Sequence, residues 1–220
     1  GSSSSVSGSA AVSINNLIVT GNSTLSWGMT GTPGHAIKGN ITVNSGSTLT
    51  FAPLAAGTVN LNGTAAQTIT GAGTITIGNN ATVVNGNTAG ITVASGTRIN
   101  LVTGGILNLN SNPFIFQSTS AGTASIGPIT GTLSNATNVT VQRYIPAHSV
   151  RTYTLITPGV NGTTMYNGWQ EGGASTSGYG TQISGIYAGN GFDFASASGT
   201  SSVFGYNDEQ NPGAKWESLI

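Results

Sequence analysis

The chain has 220 residues, five bases, five acids, no cysteine and a net charge of zero, and charged residues make up 5% of it, against roughly 25% in an ordinary soluble domain. This excludes a disulfide framework and thiolate chemistry, and without clustered Lys and Arg it gives no nucleic-acid footprint. Val, Ile and Leu recur throughout, so the composition is not that of a disordered chain; neutral Thr, Ser, Asn and Gly must cover the surface, as suits an extracellular surface protein.

The first residues, "GSSSSVSGSA", lack the basic start and apolar stretch of a signal peptide. No apolar run approaches the ~20 residues a membrane helix needs, so no membrane insertion is expected. The chain reads as a processed or excised piece of something longer. The next stretch, "GSAAVSINNLIVTGNSTLSW", is expected to supply a first coil or cap, with Trp27 and Phe51 covering it.

From there a polar phrase repeats. The triplets "ITV" at Ile41, "VNL" at Val59, "ITI" at Ile75, "ITV" at Ile91 and "ILN" at Ile106 recur at nearly even intervals. A second series lies between them: "LTF" at Leu49, "TIT" at Thr68, "TVV" at Thr82, "INL" at Ile99 and "FIF" at Phe114. Apolar and polar residues alternate in each, as in a strand with one buried face. Gly and Asn punctuate the gaps, because they accept left-handed turn angles at low cost. No helical stripe occurs in residues 10–135.

Strands this short make sense if each turn of chain stacks on the last, which predicts a parallel β-solenoid (β-helix) over 1–135. About five or six coils at ~4.8 Å each would give a rod about 25–30 Å long. The triplet spacing is short for a three-sided coil, so a flattened two-sided coil, or a rung spanning more than one triplet, both fit. A β-sandwich is the competing fold. A proline or lysine at Ile41 is expected to reduce end-to-end assembly more than folding.

Near residue 136 the writing changes: aromatic residues and charge appear, and the short repeat stops. Residues 136–220 are therefore expected to form a smaller β-rich, sandwich-like domain, incomplete at its C-terminus. "VTVQRYI" and "RTYTLIT" read as strands, and "VFGYNDEQNPGAKWESL" as a hairpin with its loop at Asn207–Gly213. All five acids, Glu171, Asp193, Asp208, Glu209 and Glu217, fall here, whereas Lys38, Arg98, Arg143 and Arg151 precede them. Residues 1–170 thus carry +4 and 171–220 carry −4, an asymmetry that would favour head-to-tail attraction between molecules.

"QRYIPAHSVRTYTLITPGVNGTTMYNGWQEGG", "GYGTQISG", "GFDF" and "GYNDEQNPGAKWESL", in that order, resemble a segment of very large secreted surface proteins of Bacteroidota. The resemblance runs from Gln142 to Leu219. It implies export by the type IX route, a preceding β-solenoid, and a place in a gliding adhesin or cell-surface filament. It also implies that the family segment and any export signal extend past Ile220.

Little here does chemistry. A glycosidase needs two carboxylates about 5–10 Å apart, and the repeat has none; Glu171 and Asp193, flanked by Trp169, Phe192 and Phe194, read as turn and edge residues. His35 and His148 lie outside any nucleophile elbow and are expected to be surface residues. No zinc spacing exists. Asp208 and Glu209 in a turn could hold calcium with backbone carbonyls, but acidic turns are common, and no cofactor or metal is expected. "GAGTITIG" has no helix after it, so it is no nucleotide loop.

Two binding readings persist. Trp169, Tyr179, Tyr187 and Phe192 could form an aromatic platform for surface glycans or contact a neighbouring subunit; the plainer reading is a domain core. Outward threonines in "TLT", "TIT" and "TIT" near Leu49, Ile69 and Ile75 could order water as an ice-binding face, but Thr92, Asn100 and Asn108 at comparable positions make that array irregular. The sequence therefore points to a non-catalytic structural protein of the cell surface, self-associating head to tail through solenoid ends, with a carbohydrate-binding module as the alternative.

Overall fold

The structure, a computed structural model, describes residues 1–146, 159–169, 183–185, 194–195, 201–207 and 216–218. Contacts divide the chain into two units, residues 1–154 and 155–220.

The first unit is a three-sided parallel β-solenoid of six coils. The first coil holds β1 (Ser3–Gly8), β2 (Ser13–Ile14) and β3 (Leu17–Val19); the second β4 (Thr24–Met29), β5 (Gly31–Ile37) and β6 (Ile41–Val43). The third holds β7 (Thr48–Phe51), β8 (Gly57–Leu61) and β9 (Gln67–Thr70), and the fourth β10 (Thr74–Ile77), β11 (Ala81–Asn85) and β12 (Ile91–Val93). The fifth holds β13 (Arg98–Leu101), β14 (Ile106–Asn108) and β15 (Phe114–Phe116). A small antiparallel hairpin, β16 (Ser118–Thr119) with β17 (Gly122–Thr123), precedes the sixth coil of β18 (Ser125–Ile129), β19 (Thr132–Ser134) and β20 (Val139–Val141).

Corresponding strands form three six-stranded sheets. Sheet A is β1-β4-β7-β10-β13-β18, sheet B β2-β5-β8-β11-β14-β19 and sheet C β3-β6-β9-β12-β15-β20. In sheet A, Ser3, Thr24, Thr48, Thr74, Arg98 and Ser125 stand over one another, so each step in that column is one full turn of chain.

The rung is thus three-sided, and the even triplet spacing spans two sides of it. Ile41 lies on sheet C, Val59 on B, Ile75 on A, Ile91 on C again and Ile106 on B. Each triplet series skips one side at every step. The expected boundary near 136 falls between β19 and β20: Val139–Val141 continue sheet C by pairing with Phe114–Phe116, so the solenoid includes them.

From β6 to β15 every second residue of each strand points inward and stacks on its counterparts. On sheet A one stack runs Trp27–Phe51–Ile77–Leu101, another Leu25–Leu49–Ile75–Ile99. Sheet C contributes Leu17–Ile41–Ile69–Val93–Phe116. Except for the partly covered Leu25 and Leu17, these side chains are buried, each stabilising the fold by about 1.5–3 kcal/mol. Trp27 and Phe51 do not cover an end. They lie inside the second and third coils with ring centroids 6.2 Å apart, and the first coil already starts at Ser3. Ile41 likewise faces the core between Leu17 and Ile69, so a charge there attacks folding rather than an end contact. Tight coil-to-coil approach demands glycine at Gly71, where φ is +102° and a Cβ would collide with the Val43 carbonyl.

The corner between sheets B and C is polar inside. Gln67 donates to the carbonyls of Ile37 (3.1 Å) and Gly39 in the coil before, and accepts from the Gly63 N–H (2.9 Å) and from Asn87 Nδ2 (3.0 Å) in the coil after. Asn87 also donates to Ala65 O (2.8 Å), accepts from Ala89 N–H (2.9 Å), and its own N–H reaches Asn85 Oδ1 (3.0 Å). Asn85 Nδ2 donates to Pro113 O (3.2 Å). Buried amides are tolerated here because every one is bonded. Among the described residues two buried groups have no partner, Trp27 Nε1 and Thr97 Oγ1.

Of the second unit, a four-residue helix α1 (Met165–Gly168) and two strand pairs are described: β21 (Ser184–Gly185) with β22 (Phe194–Ala195), parallel, and β23 (Phe204–Tyr206) with β24 (Trp216–Ser218), antiparallel. The latter is the expected "VFGY…KWES" hairpin. "RTYTLIT" lies outside the described residues.

Candidate functional surfaces

Trp169 is the described member of the expected aromatic platform. It caps α1, its backbone N–H donating to Met165 O (2.8 Å), and is partly buried. Tyr179, Tyr187 and Phe192 lie outside the described residues, as do Glu171, Asp193, Asp208, Glu209 and His148.

A different aromatic pair is visible. Tyr206 and Trp216 face each other directly across the hairpin, centroids 5.1 Å apart and edge to face, each more than half exposed. Beside them Asn207 Nδ2 lies 3.4 Å from Glu217 Oε1. The pair stabilises the hairpin as a cross-strand contact while leaving aromatic surface outside. The "GY…KW" spacing signals the hairpin; only pairing register brings the two rings together.

His35 is not a surface residue. It is fully buried on β5. The Val12 N–H donates to its Nδ1 (3.3 Å), which leaves the ring proton on Nε2 to donate to Thr30 O (3.0 Å). Both nitrogens are committed to backbone groups, so the ring fastens the first coil to the second and is unavailable as a base. Residues 1–142 carry no carboxylate and, beyond the terminal amine, only Lys38 and Arg98 as fixed charges. Among the described residues no three His, Asp or Glu gather as a metal site, and no helix is long and apolar enough to cross a membrane.

The three outer faces differ. Sheet A bears two columns of polar side chains, Ser3–Thr24–Thr48–Thr74–Arg98 and Ser5–Ser26–Thr50–Thr76–Asn100, short in every case but Arg98 and in unbroken register from the first to the fifth coil. Arg98 Nε donates to Asn100 Oδ1 (2.8 Å), closing the array. Sheet B is interrupted by an irregularity between Gly31 and His35 and mixes Thr58 and Thr82 with Ile106. In sheet C the outward column steps sideways at β9, where Thr70 stands beside Thr42 but Thr68 beside Thr92.

At the two end coils, strand edges lack a partner strand among the described residues. Val6 in the first coil and Ile129 and Leu133 in the sixth are exposed by 36%, 47% and 37%. The sixth coil also carries Pro128 and a register shift on sheet A, both of which discourage pairing there.

No known protein family, no curated protein and no solved structure matches the chain.

Proposed function

We propose that this chain is a structural segment of an extracellular filament or adhesin at the cell surface, without catalysis, whose solenoid provides rigid length. The observation that carries the reading is the six-coil rod with uniform strand polarity and apolar residues exposed at both end coils. On sheets B and C, whose strands in the sixth coil carry neither a proline nor a register shift, that coil of one copy offers parallel edges to the first coil of the next, and such a contact is heterologous and open-ended. The end coils carry no charged side chain to oppose it. The likeness of the "QRYIPA…WQEGG" to "KWESL" stretch to secreted Bacteroidota surface proteins supports a place outside the cell.

Negative-stain electron microscopy of the full chain tests this. Long uniform fibres are expected, and they should shorten or vanish in a Val6→Lys, Leu133→Lys double variant that keeps its circular dichroism. Monodisperse short rods from the unaltered chain at high concentration would sink head-to-tail assembly.

A second reading, carbohydrate binding, is favoured by the exposed Tyr206–Trp216 pair with Asn207 and Glu217 beside it. Aromatic rings stack on sugar faces while amide and carboxylate groups bond hydroxyls. Glycan-array binding that disappears in Trp216→Ala would select it; an array blank for the unaltered chain would remove it.

A further inference from the structure

The triplet series mixes three faces, and so do the residues that make the threonine array look irregular: Thr92 lies on sheet C, Asn108 on sheet B, and only Asn100 belongs with Thr50 and Thr76. Sorted by face, sheet A presents a two-column grid over its first four coils. The positions are Ser3, Ser5, Thr24, Ser26, Thr48, Thr50, Thr74 and Thr76, and every one carries a hydroxyl. The rows repeat at ~4.8 Å and the columns stand about 6.6–6.8 Å apart, the strand separation and the two-residue rise of a β-sheet.

One property sets this grid apart from both other faces, and two more suit it to contact with an uncharged surface. Its register is unbroken, whereas sheet B is interrupted at Gly31–His35 and sheet C shifts at β9. The hydroxyls of the grid form no hydrogen bond among the described residues, whereas on sheet C the Thr42 and Thr70 hydroxyls bond each other at 3.3 Å. The grid also contains no charge, the first on this face being Arg98, one coil beyond it. A β-branched threonine has few side-chain rotamers, so holding its hydroxyl and methyl in place costs little entropy on binding.

We propose that sheet A binds the surface of a hydrogen-bonded crystal, namely ice. Both repeats of the grid lie close to the oxygen spacings on a prism face of hexagonal ice. Unspent hydroxyls can take lattice positions while the methyl groups lie between them, and no ionic hydration shell has to be stripped. A crystalline polysaccharide fits less well, because no aromatic side chain points outward among these eight positions to stack on sugar rings. The proposal is independent of filament assembly, since a single rod carries the whole grid.

The test is ice-recrystallisation inhibition and ice-crystal shaping by the full chain, at concentrations where it is monomeric and where it is assembled. The unaltered chain should restrain recrystallisation in both. Thr50→Tyr, in the middle of the grid, should lose most of that activity, whereas Thr82→Tyr on sheet B should keep it, with thermal melts showing both variants folded. No restraint by the unaltered chain, equal loss in the two variants, or retention on crystalline cellulose or chitin without any effect on ice would each overturn the proposal.

Discussion

The rod buries two kinds of interior, and they hold it differently. Beneath sheet A the filling is apolar: Trp27, Phe51, Ile77 and Leu101 succeed one another coil by coil. At the corner of sheets B and C it is polar, with Gln67, Asn85 and Asn87 buried and bonded across four coils, from Ile37 to Pro113. Apolar stacking is non-directional and accepts any side chain of similar volume. An amide network is directional and specifies which coil lies over which. The network sits beside β9, where sheet C changes register, the place where an undirected stack would specify alignment least.

The largest separation between the two should come from Phe51→Ala. Removing a fully enclosed ring costs about 3–5 kcal/mol, read as a steep fall in the urea midpoint; a shift no larger than that of a surface mutant would mean the stack is not the main support. Asn87→Ala should cost less, about 1–3 kcal/mol, because it strands the Ala65 carbonyl and the Ala89 N–H without emptying much volume. Its distinguishing mark is faster amide exchange at Gly63, Ala89 and their neighbours; exchange that stays as slow as in the unaltered chain would deny the network its role in register. Thr42→Val removes only a surface hydroxyl pair. It should change stability by about 0.5 kcal/mol at most, as surface substitutions do. A larger loss would show that the outer ladders contribute as much as the inner ones.

The solenoid is legible in the sequence because alternation and Gly/Asn turns are local signals: every strand centred on Leu49, Val59, Ile75 or Ile91 can be read off the chain. The period is not, because all three sides use the same vocabulary. "ITV" at Ile41 and at Ile91 share a face while the nearly identical "ITI" at Ile75 does not, and only pairing register tells them apart. His35 misleads for a similar reason. Its partners, Val12 and Thr30, are backbone groups, one of them a full coil earlier in the chain, and nothing in "TPGHAIKG" announces them. Gln67 and Asn87 likewise look like turn residues until the coils above and below supply their bonds. The Tyr206–Trp216 pair is legible as a hairpin but not as an exposed aromatic surface, since strand alternation does not say which side is open.

The winding itself has a mechanical consequence. Each turn is tied to its neighbours by three ladders, and the chain passes from one turn to the next without a crossing. Tension on an end therefore peels turns off in sequence instead of breaking the whole structure at once. A released turn, such as that from Thr24 to Thr48, frees about 80 Å of extended chain. Such a rod would behave under load as a spool, lengthening in steps and winding back when the pull relaxes.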